Sequence, residues 1–112
     1  MKNQIKRFEN AFRGIFYAIK KDINFKWQFF SIIIFIIVGY FASPITPTDI
    51  MFLLLSYFLI LITELQNTSL ETALDKIHPE HHKDIGKSKD MMAGSVLFAG
   101  IFAVVTIFMI LF

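Results

Sequence analysis

The sequence predicts an all-α membrane protein with an N-terminal amphipathic surface helix followed by three membrane helices. Three observations carry this. The 112-residue chain is 55% hydrophobic with 14 Phe, too apolar for a soluble domain of its length. Its apolar residues gather into segments long enough to cross a bilayer. Its 11 Lys and Arg are confined to residues 2–26 and 76–89, beside those segments. Cysteine is absent, which excludes a disulfide framework, a thiolate nucleophile and a cysteine metal site.

The surface helix is expected over residues 4–25. Ile5, Phe8, Phe12, Ile15, Ile19 and Ile23 recur at three- and four-residue spacing, and Lys6, Arg13, Lys20 and Lys21 take the other side. A helix of this pattern lies in the membrane interface. Trp27 follows where an interfacial aromatic anchor belongs.

The membrane helices are expected at 28–43, 49–75 and 88–112. The first is apolar from Phe29 to Ser43 and reaches back to Phe25 if Lys26 snorkels. Pro44 and Pro47 bracket a tight turn, after which Thr48 or Asp49 can cap the second helix. The last contains Met91 to Phe112, 22 residues without a charge. As a helix that stretch is ~33 Å long, enough to cross alone.

The Ser43 to Asp49 turn has no basic residue. The positive-inside rule therefore puts the N-terminus and the His78 to Lys89 loop in the cytoplasm of a multi-pass protein. The basic N-terminal stretch lacks the short apolar core and cleavage site of a signal peptide. A net charge of +2 with this placement gives no reason to expect a nucleic-acid partner.

The second membrane helix ends unusually. Glu64, Asn67, Thr68, Glu71 and Asp75 fall at i, i+3, i+4, i+7 and i+11, on one helical face. Ionisable groups at membrane depth are costly and mark sites. From Asp49 to Glu64 the helix rises about 22 Å, which places Glu64 near the inner edge of a ~30 Å hydrocarbon slab. Glu71 lies ~10 Å further toward the cytoplasm. The stripe thus spans the boundary where a lipid headgroup and a water-soluble cosubstrate can meet.

Asp, Glu and Asn offer the hard oxygen ligands that Mg²⁺ takes together with substrate phosphates. A partly desolvated carboxylate can act as general base. Gly86 to Asp90 brings Lys87, Lys89 and backbone N–H groups to the start of the third membrane helix, and helix N-termini attract phosphate. Walker A and glycine-rich kinase loops are both missing. Base, metal ligands and phosphate-binding cations together suggest phosphoryl transfer.

Plainer roles stand beside these. Glu64, Asn67 and Thr68 can act as interhelical glue. Glu71 and Asp75 suit a solvated face, and Lys87 and Lys89 suit topology anchors. His78, His81 and His82 beside Glu80 suit an ordinary polar loop as well as a metal site.

The pattern Glu64-x-x-Asn67-Thr68-x-Leu70-Glu71-x-x-x-Asp75, followed by Gly86-x-x-Lys89-Asp90-Met91, resembles the small prokaryotic diacylglycerol kinase family, which includes undecaprenol kinases. The resemblance runs from Phe8 to the C-terminus. Arg13-Gly14-Ile15, Asn24-Phe25 and His81-His82 look more like the undecaprenol kinases of Gram-positive bacteria.

This resemblance implies an ATP-dependent lipid kinase of the bacterial cytoplasmic membrane, a homotrimer with active sites shared between protomers. It would phosphorylate the primary hydroxyl of undecaprenol or diacylglycerol. By match, Glu64 is the general base on the lipid hydroxyl. Asp22 and Glu71 hold Mg²⁺, with Asn67 in support, and Lys89 and Asp90 bind ATP with help from Glu80 and His82. The family usually has Glu where this chain has Asp22, one methylene shorter. Gln28 replaces a more usual Glu or His, and the family's N-terminal nucleotide contacts have no clean counterpart in Asn3 to Asn10.

A trimer also suits the residues themselves. Ser95, Ala99 and Ala103 form a small-residue row with Gly94 and Gly100 beside it, and oligomerisation would shield the polar stripe. The rival class is a non-catalytic membrane scaffold or subunit whose stripe binds a partner helix.

Overall fold

The computed structural model describes residues 2–80 and 82–112. Helix α1 runs Lys2–Lys21, and its apolar stripe is left bare by the rest of the chain: Ile5, Phe8, Phe12 and Phe16 are all exposed. That face suits a lipid interface. Only Ala18 is buried, on the side turned inward.

The helix stops at Lys21, short of residue 25. Asp22 takes extended dihedrals (φ −107°, ψ 108°), and its side chain caps the next helix by accepting from the Asn24 N–H at 2.9 Å. Asp is among the best N-caps because its short carboxylate reaches the orphan amides of the first turn. Ile23, which the spacing assigned to the α1 stripe, therefore begins a new element.

Helices α2 (Ile23–Phe30) and α3 (Ile32–Phe41) make the first apolar span, 19 residues from Ile23 to Phe41. They are separated at Ser31, whose N–H and hydroxyl both donate to the Gln28 carbonyl, at 3.2 and 2.5 Å. An i−3 bond with a serine back-bond tightens and bends a helix. Beside the break, the Tyr57 hydroxyl donates to the Phe29 carbonyl at 2.5 Å, tying the span to α4.

Helix α4 spans Pro47–Ile77. It is capped by Thr46, not by Thr48 or Asp49. The Thr46 hydroxyl accepts from the Asp49 N–H at 3.1 Å, while the Asp49 carboxylate accepts from the Thr46 N–H at 3.3 Å. Pro47 explains the early start, because proline at the first helical position has its φ preset and loses no helical hydrogen bond. With 31 residues the helix is about 46 Å long, so its last turns outrun a ~30 Å slab. Helix α5, Lys83–Leu111, begins before residue 88, where His82 caps it by accepting from the Asp84 N–H at 3.1 Å.

Helices α4 and α5 form a hairpin, against which α2 and α3 pack. Its core joins Phe35 and Val38 of α3, Leu53 and Tyr57 of α4, and Ala103 of α5. The Phe35 and Tyr57 rings meet edge-on, with centroids 5.7 Å apart. Ala99, Ala103 and Thr106 are buried along α5. The alanines of the small-residue row are thus buried inside the chain, and Ala103 packs in the cluster that holds the bulky Tyr57. Span length and apolarity make all three long segments competent to cross a membrane. The described residues contain helices and no strands.

Candidate active site

The polar stripe of α4 grades from buried to exposed along its length. Glu64 is 5% exposed and Asn67 is 9% exposed, Thr68 and Glu71 are half-buried, and Asp75 is open. Burial falls toward the C-terminal end of α4, where Asp75 still meets Lys89 of α5.

The break between α1 and α2 delivers Asp22 to this face. One carboxylate oxygen of Asp22 caps α2 through Asn24; the other accepts from the Thr68 hydroxyl, 46 residues away. The Asp22 carboxylate also lies close enough for its charge to act on Glu64. Burial works to raise the Asp22 pKa, but hydrogen bonds from the Thr68 hydroxyl and the backbone amides at the start of α2 hold it below the ordinary value. Glu71 lies close enough for its charge to act on Glu64.

Nearby donors tighten the same junction. Lys21 donates to the Thr72 hydroxyl at 3.1 Å and sits 5.5 Å from the centroid of the Tyr17 ring. Thr72 in turn donates to the Thr68 carbonyl at 2.7 Å. The amide oxygens of Asn67 and Gln28 are buried and have no partner among the described residues. A buried orphan oxygen is costly unless something else satisfies it. Beside these groups, α1 and α4 enclose a largely apolar groove of about 560 Å³ that includes Gly14, Tyr17, Leu65 and Thr68.

A second cluster lies at the C-terminal end of α4. Lys89 of α5 forms an ion pair with Asp75 of α4. His82 stacks edge-on with His78 at 5.4 Å between ring centroids. Asp75, His78, Glu80, His82, Gly86 and Lys89 line a cavity of about 200 Å³. Glu80, His82 and Lys89, expected to serve one cosubstrate, thus share one cleft. Asp90 is exposed and lines neither cluster, and His81 lies outside the described residues. No group of three or more His, Asp or Glu able to hold a metal occurs among the described residues.

The family model for prokaryotic diacylglycerol kinases matches residues 9–111. The chain belongs to this family. It is 28% identical over 102 residues to the diacylglycerol kinase of Escherichia coli K12, covering 91% of this chain and 83% of that one. The diacylglycerol kinase of Haemophilus influenzae is 30% identical over 89 residues, covering 80% and 75%. That of Synechocystis is 31% identical over 104 residues, covering 92% and 59%. The chain is therefore an integral membrane enzyme, a lipid kinase using a nucleotide phosphate donor, and the scaffold alternative gives way.

Sequence reasoning missed the partners of two groups. Thr68 was legible as a member of the stripe and as interhelical glue, but not as the partner of Asp22. Lys21 read as one charge of the surface face. Its partner Thr72 emerges only from the approach of α1 to α4.

Proposed function

We propose that this kinase transfers the γ-phosphoryl group of MgATP to the primary hydroxyl of a membrane lipid alcohol, undecaprenol or diacylglycerol. The observation that carries this reading is the convergence of Asp22 on buried Glu64, at the depth where a headgroup hydroxyl lies. Glu64 is the general base. It accepts the hydroxyl proton as the oxygen attacks phosphorus and the bond to the leaving nucleoside diphosphate breaks. The family resemblance and the names of the relatives support this assignment.

The residues present fit Mg²⁺. Asp22, Glu71 and the orphaned amide oxygen of Asn67 are hard oxygen donors of the kind this ion takes. Asp22 and Glu71 would hold it with Asn67 in support, and when bound it neutralises charge on the phosphates. Lys89, with Glu80 and His82 in the same cleft and Asp90 on the same helix, binds the nucleotide. A phosphate chain would replace Asp75 as the partner of Lys89.

The whole chain acts as one membrane unit in the bacterial cytoplasmic membrane, with its N-terminus inside, as the basic residues favour. It works as a homotrimer. An added Cβ at Gly94 or Gly100 would meet no atom of this chain within 4 Å, which leaves room for a helix of another copy. Because the protein has no cysteine, single introduced cysteines can report which side each loop faces.

The decisive experiment gives purified protein MgATP with undecaprenol or diacylglycerol in parallel micelles and measures lipid phosphate. Phosphate on either lipid, dependent on Mg²⁺ and abolished by Glu64→Gln, is expected. Turnover of neither, or full activity without Glu64, would overturn the reading.

A further inference from the structure

Asp22 has two demands on one short carboxylate. As N-cap it is bound to α2 through Asn24, and as a partner of Glu64 it must reach α4. The oxygen free of the cap is claimed by the Thr68 hydroxyl, which comes from the α4 turn directly beyond Glu64. An aspartate is a better N-cap than a glutamate but one methylene shorter, so something on α4 must fix its free oxygen. Thr68 is the side chain that meets it. Its own backbone is secured in turn, since the Thr68 carbonyl accepts from Thr72 and Thr72 accepts from Lys21.

We infer that Thr68 is a positioning residue that clasps the capping carboxylate of Asp22 to α4 and so holds the end of the surface helix against Glu64. The role rests on the reading of Glu64 as base. Thr68 touches no reacting atom; it acts through Asp22. Without the hydroxyl, Asp22 keeps its cap but its second oxygen is free to swing away from Glu64. The surface helix then loses one of its few polar ties to α4.

The test compares Thr68→Val, which keeps the shape and removes the hydroxyl, with Thr68→Ser, which restores it. Each is measured alone and in an Asp22→Asn background, where the cap is retained and the charge is gone. Thr68→Val is expected to lower kcat about 10-fold with KM for the lipid alcohol within about two-fold, and Thr68→Ser to recover most of it. In the Asp22→Asn background Thr68→Val should cost nothing further. Mn²⁺ titration by electron paramagnetic resonance, without nucleotide, should show several-fold weaker binding in Thr68→Val and normal binding in Thr68→Ser. Additive losses in the double variant, or wild-type kcat and Mn²⁺ binding in Thr68→Val, would overturn the clasp. If Thr68→Val does not fold, Thr68→Ala against Thr68→Ser carries the same comparison. Failure of the Glu64 reading appears separately, as full activity in Glu64→Gln.

Discussion

The two polar clusters on α4 are built from the same kinds of residue and differ in what surrounds them. Around Glu64, the stripe is buried, Asn67 included, and Asp22 is tied to it by a hydrogen bond from Thr68 that reaches across 46 residues. At the C-terminal end of α4, Asp75 and Lys89 make an ion pair in which Asp75 is largely exposed. A buried polar group that loses its partner keeps its desolvation cost, so the deep cluster tolerates little change. An exposed ion pair contributes about 0–1 kcal/mol, so it can be exchanged for another partner cheaply. The deep cluster is thus suited to fixed chemistry, and the shallow one to a cosubstrate that comes and goes.

The comparison can be broken at four places. Glu64→Gln keeps size and hydrogen bonding but removes basicity, and kcat should fall roughly 10²-fold or more with MgATP affinity little changed. Near-normal turnover would remove Glu64 from the chemistry. Glu71→Gln should weaken the Mg²⁺ dependence and MgATP binding together, by about an order of magnitude, since a carboxylate facing other carboxylates needs a cation between them. An unchanged Mg²⁺ titration would make Glu71 a solvated face residue.

The shallow cluster should respond differently. Lys89→Arg keeps the charge but changes its shape, so a topology anchor would tolerate it and a phosphate ligand would not. KM for ATP should rise several-fold while insertion stays normal. Wild-type ATP kinetics would show that Lys89 is an anchor. The smallest effect is expected for Asp75→Asn, which removes the partner that a nucleotide must displace. Thermal stability should change by less than ~1 kcal/mol, with KM for ATP unchanged or lower. A large loss of stability would mean that the exposed pair is structural.

Much of this layout was legible in the sequence because membrane helices obey strong local rules. Uncharged runs and the spacing of Glu64, Asn67 and Glu71 survive translation into structure. The details that escaped belong to competition between neighbouring elements. Thr46 displaced Thr48 and Asp49 as cap because Pro47 starts the helix early. Asp22 ended the surface helix because its carboxylate favours capping over propagation. Ala103 of α5 packs with Tyr57 and its neighbours within the chain, a demand that composition does not reveal. The bond between Thr68 and Asp22 depends on where two distant helices cross, which no local pattern encodes.

The division of labour between the two clusters is tested most directly by measuring kcat and the KM for ATP of Glu64→Gln and Lys89→Arg side by side, on one lipid alcohol. The account predicts a split: Glu64→Gln loses kcat at nearly constant KM, and Lys89→Arg gains KM at nearly constant kcat. Loss of the same parameter in both variants would contradict it.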